Sequence, residues 1–147
     1  MKRYLVIGTL GLLVLSACQK NSDRGDLTGS WKLVEVIDKN TNSVQVPPAG
    51  SNMDVVISFL DGGKFAGHTL RNTFAEGSYK LNRDEISFGS FSMTKIEEEP
   101  WGQNFLAVLQ SCSLQSGSPC VSSGIQIRGN SLKITSPVRY DIVLSKL

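Results

Sequence analysis

Residues Asp54 to Phe65 read DVVISFLDGGKF. An apolar run, Asp54–Phe59, is followed by Asp61-Gly62 and then by a second run beginning at Lys64. Asp-Gly between apolar segments is a strong hairpin signal, because glycine supplies the positive φ that a tight turn demands. The stretch therefore predicts two antiparallel strands, the second continuing from Lys64 to Leu70.

The rest of the chain repeats this motif. Upstream, WKLVEVI (31–37) alternates, with Trp31, Leu33 and Glu35 on one face and Lys32, Val34 and Val36 on the other, so the expected strand is apolar on parts of both. Downstream, GSYKL and EISFG flank the turn residues Asn82-Arg83-Asp84, and FSMTKI follows as a further strand. The rhythm breaks at 97–112, EEEPWGQNFLAVLQSC, where Phe105, Leu109 and Cys112 recur at helical spacing behind an acidic start and Pro100. GIQI, a turn at Arg128-Gly129-Asn130, LKIT and YDIVLSKL then close the chain as strands. The fold class expected is mainly β with one short helix: a single antiparallel barrel-like or curved-sheet domain.

The N-terminus is of a different character. Lys2 and Arg3 precede YLVIGTLGLLVL (4–15), an apolar run too short to span a bilayer, and two small residues lead into Cys18. That is the order of a secretory signal. The ending LSAC resembles the lipobox of bacterial lipoproteins, which implies diacylglyceryl attachment at the Cys18 thiol and cleavage before it. Several acyl chains hold a protein stably on a membrane. The expected division is 1–17 as signal peptide, 18–26 as flexible tether and 27–147 as the β domain. The residues QKNSDRGD (19–26) contain no apolar side chain that could dock on a core. Gln19 stands where an Asp resembles an inner-membrane retention signal, so the expected address is the outer membrane, on its periplasmic or surface face.

Removal of Lys2 and Arg3 with the signal leaves 13 basic residues of the original 15, against 13 acidic. A neutral domain without a basic stripe excludes nucleic acid, whose binding rests on neutralising phosphates. With Cys18 assigned to the lipid, Cys112 and Cys120 remain, separated by the turn-rich SLQSGSP. In an oxidising compartment they are expected to pair as a disulfide, with two inert thiols as the alternative.

Catalytic constellations are missing from the sequence. His68 is the single histidine and has no carboxylate or cysteine beside it. GGKFAGH lacks the Gly-Lys-Ser/Thr ending of a phosphate loop. The run Glu97-Glu98-Glu99 reads as a solvated helix start, and nothing singles out a carboxylate pair. No enzyme, metal or cofactor is expected.

The order LTGSWKL, ISFLDGGKFAGHTLRNTFAEGSYKL, SMTKIEEEPWGQNFLAVL, SLKI, DIVLSKL is similar to the META domain, a family that includes a bacterial heat-shock lipoprotein. Gly29 and Trp31 match its opening, Gly67, Asn72, Gly77 and Tyr79 its centre, and Thr94 its later Thr-basic motif. The family often has a cysteine where Arg71 stands and a second one after the Thr motif; both are absent here, so the family's usual bridge is missing. Gly29-Ser30-Trp31 also resembles the G-x-W start of lipocalins, whose Trp plugs one end of a barrel. The META resemblance implies a fold and an envelope setting but no catalytic residues. Trp31, Phe65 and Tyr79 are expected in the core, and Asn72 in a left-handed turn. The function expected is that of a non-enzymatic envelope lipoprotein with a binding or envelope-stress role. The alternatives are a lipocalin-like carrier of a small apolar ligand and a protein-binding inhibitor of an envelope hydrolase. The expected partners are accordingly the membrane, through Cys18, and an envelope protein or small apolar ligand.

Overall fold

The structure is a computed structural model that describes residues 26–112 and 121–147, with side chains except that of Cys112. Its strands are β1 (Gly29–Asp38), β2 (Ser43–Gln45), β3 (Val56–Leu60), β4 (Lys64–His68), β5 (Thr73–Asn82), β6 (Glu85–Phe88), β7 (Ser92–Met93), β8 (Ser123–Arg128), β9 (Ser131–Thr135) and β10 (Tyr140–Lys146). Among the described residues one α-helix, α1 (Pro100–Leu109), stands between β7 and β8, and a 3-10 turn, Gln110–Cys112, follows it. All pairings are antiparallel. Eight strands run in the order β1-β3-β4-β5-β6-β8-β9-β10, and β10 pairs back onto β1, closing a barrel. The short strands β2 and β7 lie off the ring, on β1 and β5 respectively.

The Asp61-Gly62 hairpin is present as expected. Gly62 and Gly63 take φ of 71° and 69°, joining β3 to β4 in the register Phe59↔Phe65 and Ile57↔Gly67. The face assignment of the first strand needs correction. Its register against β10 shifts between Leu33 and Glu35, so Val36 joins Trp31 and Leu33 inside the barrel while Glu35 turns outward. A bulge resets the alternation, which explains the apolar residues on both nominal faces of WKLVEVI. Two further differences concern length. The strand expected at 91–96 shrinks to Ser92–Met93, and β2 is too short to leave a periodic trace.

The barrel has two unlike ends. At the entry end lie the start of β1, the turns at 61–63, 83–84 and 129–130, and the C-terminal Leu147. Here Trp31 is fully buried: its Nε1 donates to Leu27 O at 2.7 Å, and Lys146 Nζ sits 5.3 Å above its ring. Gly29, at φ 120°, is held in a backbone region open to glycine. At the opposite, helix end lie the turns at 39–42, 69–72 and 136–139, with α1 laid across them. Trp101, Phe105, Leu106, Val108 and Leu109 of the helix are buried and join the barrel's core.

Between the ends runs a column of rings. Tyr79 meets Phe59 edge-on at 5.2 Å, Phe59 neighbours Phe88 at 6.4 Å, and Phe65 contacts Phe88 and Phe74 at 5.5 and 6.0 Å. Phe74 reaches Phe105 of α1 at 6.1 Å. Each buried aromatic of this kind contributes about 1.5–3 kcal/mol by burial alone, with edge-to-face geometry adding to it. Gly67 and Gly77 make room for the column. Phe65 lies opposite Gly77 and Phe74 opposite Gly67, so each ring folds over the glycine of the facing strand. A Cβ on Gly77 would come within 2.6 Å of the Phe65 ring, and one on Gly67 within 2.6 Å of the Phe74 ring. The register shift between these two pairs places Glu76 at φ 57° on β5.

Gly77→Ala is therefore expected to lose about 1–3 kcal/mol of stability through overpacking. Gly124→Ala, whose new Cβ would sit 3.6 Å from Thr135 Cβ, is expected to stay within about 1 kcal/mol of the parent. Urea unfolding of the two variants measures both; equal midpoints would contradict the ring-over-glycine account.

Candidate functional site

The richest group of buried polar side chains lies at the helix end, where the β4–β5 turn meets the segment entering α1. Glu98 is buried just before the helix, Thr69 and Asn72 are buried in the turn, and Thr94 stands beside them. Asn72 Nδ2 donates to Ile96 O and to Glu98 Oε2, both at 2.9 Å. Asn72 Oδ1 accepts from Ile96 N at 2.8 Å and from Thr94 Oγ1 at 3.1 Å. Both donors and both acceptor positions of the amide are thus engaged. Thr69 Oγ1 donates to Glu98 Oε2, and Glu98 Oε1 accepts from Glu99 N at 3.1 Å. Thr73 N donates to Thr94 Oγ1 at 3.0 Å, tying the Thr to β5.

This geometry corrects two sequence expectations. Glu98 is not part of a solvated helix start; it is a buried acceptor for Thr69 and Asn72. Asn72 does not supply a left-handed turn, since the positive-φ non-glycine residues are Asn42, Glu76 and Arg83. Its amide instead ties the β4–β5 turn to the segment 94–98. Glu98 went unnoticed in the sequence because it stands in a run of three glutamates. The usable signal was four residues on: a Cβ on Gly102 would sit 2.6 Å from Glu98 Cδ, so the carboxylate lies over a helical position only glycine leaves open.

A second cluster joins the β1–β2 and β9–β10 turns at the same end. Arg139 Nε donates to both oxygens of Asp38 at 3.0 Å, and its Nη2 donates to Oδ2. Asn40 N donates to Asp38 Oδ1 at 2.9 Å. The Arg139 guanidinium, followed by the Asn40 amide, lowers the Asp38 carboxyl to about 2 against burial, which raises it. Beside this pair Lys39 Nζ lies 3.5 Å from Asp141 Oδ1, which also accepts from Ser136 N at 3.1 Å.

The remaining candidates distribute as follows. Asn72 and Thr94 meet in the first cluster; Gly67 and Gly77 lie under the ring column; Gly29 and Trp31 close the other end; Tyr79 ends the column, its hydroxyl 3.4 Å from Leu60 O. Cys18, Cys120 and the Cys112–Cys120 bridge lie outside the described residues. His68 Nδ1 is 3.4 Å from Thr69 O and has no carboxylate partner among the described residues. Among these residues no group of three His, Cys, Asp or Glu is placed to hold a metal ion. What the two clusters do chemically is hold: buried acceptors meet buried donors across turns of distant sequence position.

No family model matches the chain, and no curated protein does. Three solved structures share its architecture. An NMR structure of a protein from Burkholderia xenovorans superposes with a TM-score of 0.59 at 20% identity, covering 81% of each chain. A crystal structure of a DUF4847 family protein from Bacteroides vulgatus ATCC 8482 gives 0.55 at 14% identity, covering 80% of this chain and 92% of that one. A further NMR structure gives 0.54 at 15% identity, covering 80% and 88%. At these identities the likeness is one of fold.

Glu98→Ala leaves one Asn72 donor buried without an acceptor and the Thr69 hydroxyl with only the longer 3.3 Å bond to Asn72 O, so a loss of about 1–3 kcal/mol is expected in chemical denaturation. Combined with Thr69→Ala, the loss should fall short of the sum of the two single changes; strict additivity would show that the clamp is not coupled. The Asp38 carboxyl has a folded pKa below its ordinary value of 3.8, so its contribution is present above that value and fades as pH falls through about 2. Asp38→Asn is expected to melt below the parent at pH 6, with the gap closing between pH 4 and 2. A gap that stays constant with pH would refute the assignment.

Proposed function

We propose that the chain is a lipid-anchored β-barrel module of the cell envelope, held on the outer membrane through Cys18 and acting by binding an envelope protein rather than by catalysis. The observation that carries this reading is the lipobox-like LSAC at 15–18 leading, through eight residues without an apolar side chain, into a barrel whose first fixed residues lie at one end. The nature of the barrel supports binding on its outside. In an eight-stranded barrel the interior is either filled by side chains or just wide enough for one small ligand. Here Phe59, Phe65, Phe74 and Phe88 occupy that space in mutual contact. A small apolar ligand, as in the carrier reading, would have to displace these rings. The Asn72 amide is already spent on the fold.

The META resemblance gains support from the helix end. The segments that the family's disulfide would join are linked here by Arg71 Nη2 to Glu99 Oε1 at 2.9 Å and by Asn72 to Ile96. An exposed ion pair of this kind is worth about 0–1 kcal/mol, so the buried amide bonds are the stronger link. The META-like envelope role, in stress tolerance or in restraining a hydrolase, is compatible with a rigid module of this sort.

The anchor is tested by growing producing cells with a radiolabelled fatty acid. Label should enter the wild-type chain and vanish in Cys18→Ala, with that variant leaving the membrane fraction. Unlabelled wild-type protein would remove the anchor from the proposal. Mass spectrometry of organic extracts of the purified barrel tests its other half: no stoichiometric apolar molecule is expected, and finding one would restore the carrier reading.

A further inference from the structure

Both ends of the barrel expose apolar side chains, and the chain's entry point decides between them. Asp26 is fixed at the entry end: its Oδ1 accepts from Thr28 N at 2.9 Å and its O from Lys146 Nζ at 3.0 Å. Next to it Trp31 Nε1 bonds Leu27 O, so residues 26–31 are fixed at the barrel wall. Seven residues, 19–25, separate Cys18 from Asp26. Fully extended they reach at most ~28 Å, and as a flexible coil about 16 Å on average. The ten-residue β1 alone rises ~33 Å along its axis, or about 25 Å along the barrel once strand tilt is allowed for. The average reach of the tether is therefore shorter than the barrel.

Three leucines are exposed around this same end. Leu60 at the β3–β4 turn is 47% exposed, Leu81 at the close of β5 42%, and the terminal Leu147 69%. Cations at this rim, Lys64, Arg83, Arg128 and Lys146, are matched in number by Asp26, Asp61, Asp84 and Glu85, so the rim carries no net basic charge that would require anionic lipid. We infer that the entry end is a membrane-contact face: Leu60, Leu81 and Leu147 rest on the lipid surface to which Cys18 is anchored, and the helix end is held outward. This inference rests on the anchor reading. Its occupant is a phospholipid surface of either charge, recognised by apolar contact. The outward end then presents its own exposed apolar residues, Val44, Val46, Met53, Ile96 and Val138, to the aqueous side.

The test uses the full lipidated chain, isotopically labelled, in phosphatidylcholine nanodiscs carrying a small fraction of lipid with a gadolinium-chelate headgroup. Amide signals at 60–64, 82–85 and 128–131 should be weakened at least threefold more than those at 41–46 and 136–139. The variant Leu60→Ser/Leu81→Ser should remain on the disc while that contrast falls by half or more. Even broadening of both ends, stronger broadening at the helix end, or an unchanged contrast in the variant would each overturn the contact face while leaving the anchor intact. Intact mass showing no lipid at Cys18 would overturn the anchor, and the contact face with it.

Discussion

The closure of β1 against β10 is the constraint on which the other features depend. Seven residue pairs, from Trp31↔Lys146 to Asp38↔Tyr140, join strands at opposite ends of the described chain. Without that seam the sheet has two open edges and no inside. With it, the interior takes a width set by eight strands, and that width dictates the rest. The bulge near Glu35 keeps β1 facing inward along its whole length. Glycines must lie opposite Phe65 and Phe74 because two rings cannot share one layer with two further side chains. Trp31 and α1 then cover openings that a sheet of this curvature leaves at each end.

The two covers are held by different physics. At the entry end, one indole gives its N–H to a backbone carbonyl and its face to a lysine, a compact solution built on a single large side chain. At the helix end the cover is a separate element, and apolar contact through Phe105 and Leu109 leaves its direction underdetermined. The Glu98–Thr69–Asn72 group and the Gln45–Asn104 contact at 3.0 Å supply direction, because hydrogen bonds fail when the helix rotates or slides. Buried polar groups of this type add little net stability when satisfied but cost heavily when broken. They therefore select one pose of α1 over others of similar apolar burial.

Much of this was legible in the sequence, and the illegible part has a common cause. Asp61-Gly62, Arg83 and Gly129 announced three hairpins because turn chemistry is local. Phe105 and Leu109 announced α1 because helical spacing is local too. The bulge at Glu35 was not legible, since it records where β10 pairs, a hundred residues away. The role of Asn72 was misread for the same reason: a local preference for left-handed turns competed with partners at 94, 96 and 98, and the distant partners won. Glycines 67 and 77 stood out by position, yet only the register shows that each serves the other strand's phenylalanine.

The seam between first and last strands also fixes when this protein can become itself. β10 pairs with β1 across about a hundred residues of sequence, so no barrel exists until both strands have been made. Every shorter product is an open sheet whose ring-bearing face is uncovered, and pairings of such sequence separation form slowly. The last strand works as a latch, and the ring-bearing face stays uncovered until it shuts.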